Sequence, residues 1–278
     1  MALYFTSINS GSNGNCYYIG NDNEAILVDV GLTCKEVEKR MLRLGLSVNK
    51  IKAVFISHEH SDHIKGLAVF AKKYKLPVYI STDTLRNSKL VLDEHNVYSL
   101  SHLQSIKIGN LKVAAFSKHH DAADPYSFTV ECNDVRVGVF TDIGSVCDRL
   151  IYHFKNCNAA FLEANYDTEM LQNGHYPYFL KRRVTSGKGH LSNAEALDLF
   201  LKHKHEHMSH LLLAHLSKDN NDPQLVETLF KAVAGNTFVK VASRYEESEV
   251  YFVAREINDM DTYSFKPELY RPAQLNLF

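Results

Sequence analysis

The 278-residue chain has no apolar run approaching the ~20 consecutive residues that a membrane-spanning helix needs. No membrane partner is therefore expected. The start, Met1-Ala2-Leu3-Tyr4-Phe5-Thr6, lacks the basic region and the cleavage site of a secretory signal, so a cytoplasmic protein is expected. Cysteine is sparse: Cys16, Cys34, Cys132, Cys147 and Cys157 are odd in number and form no CxxC pair. That argues against both a disulfide framework and a cysteine zinc site, and predicts reduced, mostly buried thiols. Net charge is also nearly absent, at -1, so any binding to nucleic acid must use a local basic patch or bound metals. No linker-like stretch divides the chain. With 45% hydrophobic and 23% charged residues, it suits one large domain over residues 1–256, followed by a tail over 257–278.

What is present begins with short strands. Residues 3–8, 16–19 and 24–30 alternate or run apolar, joined by Asn9-Ser10-Gly11-Ser12-Asn13-Gly14-Asn15 and by Gly20-Asn21-Asp22-Asn23. The first connector is either a long turn or a glycine-rich loop whose N–H groups approach an anion. Thr33 caps a helix to about Leu44, and residues 67–74 form another. Pro77 opens a strand, and Thr82 a short helix. Hairpins follow around Gly109-Asn110 and Cys132-Asn133-Asp134. Residues 158–163 read as a strand, and 167–184 as a helical insertion broken at Gly174 and Pro177. Ser192 caps a helix to about His203. A strand over 209–216, a helix from Pro223 and strands near 237–241 and 249–253 complete the order. Several strands end in His or Asp, which gathers those side chains at one edge of the molecule.

The densest chemistry lies in Val54-Phe55-Ile56-Ser57-His58-Glu59-His60-Ser61-Asp62-His63-Ile64-Lys65-Gly66-Leu67. It reads as a buried strand, a ligand loop and a helix. In an extended segment His58 and His60, two apart, point to the same side. Asp62 and His63 fall where the chain turns into the helix and can face the same pocket from a second direction. One loop can thus supply two neighbouring ions.

HxHxDH at 58–63, with a later His120, Asp142 and His215, resembles the metallo-β-lactamase superfamily of metal hydrolases. A narrower resemblance, to the YycJ (WalJ)-like bacterial exonucleases, rests on Gly11-Ser12-Asn13-Gly14-Asn15, His120-Asp121-Ala122, Thr141-Asp142-Ile143-Gly144 and Glu163-Ala164-Asn165-Tyr166-Asp167. It continues through Tyr176-Pro177-Tyr178-Phe179-Leu180-Lys181-Arg182-Arg183, Gly189-His190-Leu191-Ser192-Asn193 and Ala214-His215-Leu216-Ser217-Lys218-Asp219-Asn220-Asn221. One position departs: Tyr166 stands where the family often carries a histidine after the asparagine.

The resemblance implies an α/β (α+β) fold, a four-layer αββα sandwich with a binuclear site at the strand tips. It implies that His58, His60 and His120 hold one divalent ion and Asp62, His63 and His215 a second, with Asp142 bridging. His120 is preferred over His119 on the His120-Asp121-Ala122 block. Imidazole and carboxylate suit zinc, manganese or iron alike. The activity implied is phosphodiester hydrolysis in DNA from a 5′ end, in replication or repair. HxHxDH alone is shared with superfamily members acting on small phosphodiesters, RNA ends, thioesters or lactams; a clamp-tethered binding module with structural metals is a further reading.

Within that frame Asp62 is expected both to ligate an ion and to steady the attacking water. His190 either protonates the leaving oxygen, binds the phosphate or only braces the helix start. Lys181, Arg182, Arg183 and Lys188, beside Tyr176, Tyr178 and Phe179, are either a DNA-contacting surface or an exposed basic helix face over aromatics. The chain ends in Gln274-Leu275-Asn276-Leu277-Phe278, which resembles the short peptide by which many bacterial DNA enzymes dock on the sliding clamp. Its anchors would be Gln274, Leu275, Leu277 and Phe278. The alternative is a final strand packed on the domain.

Overall fold

The structure, a computed structural model, describes residues 2–254. Two mixed sheets face each other. The first takes six strands from the first part of the chain: β1 (Leu3–Asn9), β2 (Cys16–Gly20), β3 (Ala25–Val28), β4 (Ile51–Phe55), β5 (Val78–Ile80) and β6 (Val97–Ser99). The second runs from β7 (Ser105–Ile108) through β8 (Leu111–Ser117), β9 (Tyr126–Cys132), β10 (Val135–Phe140), β11 (Ala159–Glu163) and β12 (His210–Ala214) to β13 (Phe238–Val241). The last strand, β14 (Tyr251–Val253), returns to the first sheet beside β1. The strand orders are β14-β1-β2-β3-β4-β5-β6 and β13-β12-β11-β10-β9-β8-β7.

The helices are α1 (Cys34–Arg43), α2 (Ser61–Ile64), α3 (Leu67–Tyr74), α4 (Thr82–Ser88), α5 (Asp148–Phe154), α6 (Thr168–Asn173), α7 (Tyr178–Val184), α8 (Asn193–His203) and α9 (Pro223–Lys231). No described helix is long and apolar enough to cross a membrane. Three apolar clusters divide the molecule into four layers. Val37, Met41, Leu67 and Phe70 of α1 and α3 pack on Leu27 and Val54 of the first sheet. Phe5, Ile26, Phe55, Phe128 and Phe161 lie between the sheets. Leu150, Leu199, Phe200 and Phe230 of α5, α8 and α9 cover Ala160, Leu162 and Leu211 of the second sheet. The inner strands therefore bury both faces, which is why β3 and β11 read as unbroken apolar runs. The α/β four-layer sandwich is the fold.

Direction within the sheets places the chemistry. Strands β3 to β6 are mutually parallel, as are β10 to β13, and β8 runs with β10 because β9 is antiparallel to both. The segments leaving β8, β10, β11, β12 and β13 consequently emerge at one edge. There they meet the loop leaving β4.

Two elements are not legible in the sequence. α5 has only seven residues, so Leu150, His153 and Phe154 are too few to show a helical period. The three-residue β6 is similarly short. The two closing strands also part company: β13 is an edge of the second sheet and β14 an edge of the first. Four of the five free cysteines are buried and Cys147 is half-buried, as expected for reduced thiols.

The sheets lock through aromatics. Phe161 on β11 is fully buried, with its ring 4.8 Å from Tyr17 and 5.7 Å from Phe5, both on the opposite sheet. Phe161→Ala should cost about 3–5 kcal/mol, as a large buried ring removed from a packed interior does. Urea unfolding measures this, and a change below ~1 kcal/mol would show that the sheets do not depend on this ring.

Candidate metal centre

The loop after β4 runs Ile56-Ser57-His58-Glu59-His60 into the single turn of α2, which carries Asp62 and His63. Its course is fixed from behind. The Asn15 N–H donates to the Asp62 carbonyl at 2.7 Å, and the Val30 N–H to the His63 carbonyl at 2.8 Å. Gly31 is required there, since a Cβ on it would sit 1.7 Å from the Asp62 carbonyl oxygen. The glycine-rich loop is such a brace: the N–H groups of Gly11, Gly14 and Asn15 all bond within the protein. It behaves as a long turn.

Four groups of side chains converge at the sheet edge, each with ligand atoms within 4.8 Å of one another. They are His58, His60 and His120; Asp62, His63 and His215; His58, His63 and Asp142; and Asp142, Glu163, His190 and His215. Asp142 stands between the first two, with carboxylate oxygens 3.3 Å from His63 Nε2, 3.5 Å from His215 Nε2 and 3.8 Å from His120 Nε2. His119 bonds Ser145 Oγ at 2.7 Å and is exposed, so His120 is the histidine that enters the cluster.

Behind these side chains lies a layer of orienting partners. Asp29 Oδ2 is 2.7 Å from His63 Nδ1, and the same carboxylate accepts from Ser57 N and Oγ. Ser57 Oγ in turn lies 2.9 Å from His58 Nδ1. Glu163 Oε1 meets both His190 Nδ1 at 2.8 Å and His215 Nδ1 at 3.0 Å. Its other oxygen accepts from the Ile143 and Leu191 N–H groups. His120 Nδ1 bonds the Gly189 carbonyl at 3.1 Å. His63, His120 and His215 each engage a partner at Nδ1, which leaves Nε2 for the cluster.

The electrostatics are extreme. Burial strips solvent from His120 and, against the Asp142 charge, brings it down to about 4; burial likewise pushes His58 well down. His215 is as buried, yet Asp142, Asp62 and Glu163 outweigh that and push it up to about 10. Burial opposes ionisation of Asp142 too, but His215 and His63 hold its carboxyl well below the usual range. Lys118 is buried beside them, with Nζ on the Thr141 carbonyl.

Whether a cation fits can be tested on the atoms themselves. Among the described residues, His120 Nε2, Asp142 Oδ2 and His215 Nε2 are buried and make no hydrogen bond. Each such atom calls for an explanation, and where several point into one cluster an ion is a direct one. These three belong to the convergent groups, and imidazole with carboxylate is the donor set of zinc, manganese and iron sites. The residues fit divalent metal.

The beta-lactamase superfamily domain matches residues 24–216, spanning every residue of these groups. The chain belongs to that superfamily. It is a hydrolase of the metallo-β-lactamase fold. It is 37% identical over 230 residues to the exodeoxyribonuclease YycJ of Bacillus anthracis, covering 81% of this chain and 86% of that one. It is 31% identical over 226 residues to the exodeoxyribonuclease WalJ of Streptococcus pneumoniae, covering 80% and 84%. Among solved structures it resembles the metallo-beta-lactamase fold protein YhfI from Bacillus subtilis, with a TM-score of 0.71 at 20% identity over 91% of this chain and 99% of that one. This last likeness concerns the fold.

Of the other residues singled out in sequence, His190 enters the cluster, its ring 5.3 Å from that of His120 and 5.2 Å from that of His215. Arg183 on α7 bonds Asp121 at 2.5 Å, next to His120. The Arg182 guanidinium lies 5.9 Å from the Tyr178 ring, and Lys181 Nζ bonds the Gln172 carbonyl. The Lys188 backbone packs against Gly144, beside Asp142. Tyr166 is buried and pairs with Ser192 as an isolated parallel bridge, so it fixes the segment that carries His190. Gln274, Leu275, Leu277 and Phe278 lie outside the described residues.

Sequence reasoning passes over Asp29, Ser57, Asn15 and Lys118, and does not foresee that Glu163 serves two histidines. Asp29 has a signal: a carboxylate immediately after the buried run Ala25-Ile26-Leu27-Val28 needs a partner. Asp29→Asn removes the charged acceptor behind His63. Affinity for a divalent ion should fall roughly 10–100-fold, measured by competition with a chelator. Unchanged affinity with an unchanged fold would show that Asp29 does not orient His63.

Proposed function

We propose that this chain is a cytoplasmic, metal-dependent DNA exonuclease that removes nucleotides from a 5′ end in replication or repair. The observation that carries the proposal is the convergence of residues scattered from His58 to His215 on one buried cluster with three unsatisfied donor atoms. The likeness to two exodeoxyribonucleases over four-fifths of the chain supports DNA as the substrate.

His58, His60 and His120 would hold one divalent ion and Asp62, His63 and His215 a second, with Asp142 shared between them. Zinc, manganese or iron in such a pair supplies positive charge for the phosphoryl oxygens and lowers the pKa of water toward ~7. The remaining work belongs to the chain. Asp62 is the most exposed carboxylate of the cluster, and Asn15 Nδ2 fixes one of its oxygens at 3.2 Å. Asp62 can therefore align a water for in-line attack while its position stays fixed. With Nδ1 donating to Glu163, His190 in its imidazolium form would carry a second proton on Nε2 of its part-exposed ring, from which that proton could pass to the leaving oxygen. Arg183 reaches the His120 side of the cluster through Asp121, and Lys181, Arg182 and Lys188 lie on or near the same short helix, with Tyr178 and Phe179 exposed beside them. They would contact backbone phosphates and stack a base.

The test uses metal-loaded protein with DNA labelled at either end. Progressive release of 5′ nucleotides is expected. Asp62→Asn and His190→Ala should each slow it by roughly 10²–10⁴-fold. Arg182→Ala with Arg183→Ala should weaken DNA binding and flatten its salt dependence by about 1 unit of slope for each phosphate no longer engaged. Hydrolysis of bis(4-nitrophenyl) phosphate without cleavage of DNA would move the site to small phosphodiesters, and no turnover at all would end the enzyme reading of this substrate.

The proposal extends to the chain's organisation, with residues 1–256 as the hydrolase domain and 257–278 as a tail. There Gln274, Leu275, Leu277 and Phe278 would dock on the bacterial sliding clamp. Deleting 274–278 should abolish clamp binding and leave nuclease activity intact. Clamp affinity that survives the deletion refutes this part.

A further inference from the structure

A second cationic surface lies outside the cluster. A groove of about 660 Å³ is bounded by the segment after β12, by α9 and by the segment after β13, and it is lined by Lys218, Glu227, Lys231, Lys240, Arg244 and Tyr245 among others. It lies within the size range of binding clefts. Lys231 and Lys240 share one carboxylate, Glu227, at 2.6 and 3.5 Å. Among the described residues no carboxylate pairs with Lys218 or Arg244, and Arg244 Nη1 is buried without a hydrogen bond. Arg244 as a whole is half-buried and lines the groove, where a guanidinium can donate to an anionic oxygen. Tyr245 is 70% exposed, with the Arg244 guanidinium 6.0 Å from its ring. A chain of net charge -1 thus concentrates four cations against one acid in a single groove.

The groove shares a wall with the metal centre. Ser10, which lines it, accepts the His215 N–H at 2.8 Å through Oγ, and Leu216 of the lining directly follows His215. Asn13 Nδ2 donates to the Arg244 carbonyl at 2.6 Å, so the loop that braces Asp62 also fixes Arg244. Strand order gives the direction. Along the sheet edge the chain presents His120 after β8, Asp142 after β10, Glu163 at the end of β11, His215 after β12 and the groove after β13. Arg183, bonded to Asp121, lies at the His120 end of this series. The cluster is therefore flanked by an Arg183–Asp121 ion pair on one side and by the more cationic groove on the other. From β8 to β13 are five strand spacings, on the order of 24 Å.

We infer that the groove beside His215 receives single-stranded DNA running through the metal centre, with Lys218, Lys240 and Arg244 on backbone phosphates and Tyr245 offering a stacking face. This rests on the nuclease reading, and it adds where the strand lies. Phosphate contacts with an aromatic platform are what sequence-tolerant single-strand binding needs.

The test compares the wild-type protein with Lys218→Ala/Lys240→Ala and with Arg244→Ala, with Arg244→Lys as the charge-keeping control. The probes are a fluorescent oligothymidylate for binding and hydrolysis, and bis(4-nitrophenyl) phosphate for the bare chemistry. The lysine pair is exposed, so its replacement leaves the fold intact. Oligothymidylate binding should weaken about tenfold or more, and the salt slope should fall by about 0.7 for each phosphate no longer engaged. The small ester should be hydrolysed at the wild-type rate. Wild-type affinity and slope in both variants overturn the inference, and if the oligonucleotide is still hydrolysed the nuclease reading stands. Groove-dependent binding without hydrolysis does the reverse. An oligonucleotide neither bound nor cut sinks both.

Discussion

Carboxylates crowded into a dry edge of the molecule need compensating positive charge, and the site is organised around that requirement. Asp29, Asp142 and Glu163 are buried and Asp62 nearly so, while Lys118 is the buried ammonium among them. Unpaired, such charges would neutralise rather than remain ionised. In the protein alone the balance falls on imidazoles: against its burial, Asp142, Asp62 and Glu163 push His215 up to about 10, whereas burial, with Lys118 and His190 nearby, brings His120 down to about 4. A divalent cation relieves the same demand with less protonation. Metal uptake and proton release would then be linked at His215, whose lone pair is otherwise capped.

Holding the groups together requires backbone that ordinary strands do not supply. Asp29, Asp142 and His215 all have left-handed backbone, with φ of 62°, 53° and 54°. Each sits one residue past the end of its strand or at the first bend, and each is a side chain of the cluster or directly behind it. Non-glycine residues pay for that conformation in steric energy and keep it only where the surroundings fix them. Here the fixing groups are visible: Ser57 on Asp29, and Ser10 and Asn165 on His215. Parallel neighbours bring the strand ends to one edge, and these bends then turn the side chains inward.

The fold was legible because its inner strands are buried on both faces and flanked by capped helices. Thr33 and Ser192 both cap as their sequence context suggests, and Ser192 with Glu195 forms a full capping box. The short α5 and β6 escaped because so few residues carry no period. For the cluster, HxHxDH places four side chains by local geometry alone. His120, Asp142 and His215 could be tied to it only by resemblance, since nothing in spacing says that loops 60 to 150 residues apart meet. The orienting layer was harder still. Asp29 and Glu163 act through hydrogen bonds to other side chains, and a sequence shows who is present but not who touches whom. The Arg244 groove was invisible for a related reason: its cations come from positions 218, 231, 240 and 244, spread over two loops, a helix and a strand.

The centre says more about reaction type than about substrate. Imidazoles and carboxylates arranged for divalent cations suit any hydrolysis in which charge grows on oxygen, and the superfamily's shared fold supports that generality. Choice among substrates must come from what surrounds the cluster. On this chain Arg183, paired with Asp121, stands at the His120 end, and Lys218 with Arg244 at the His215 end. A small diester would engage only the centre and gain nothing from charges so far apart. A polyanion long enough to reach both flanks would gain from each, and counterion release would make that gain grow with every phosphate engaged. With net charge near zero, attraction for a polyanion would have to come from such local groups rather than from the whole surface.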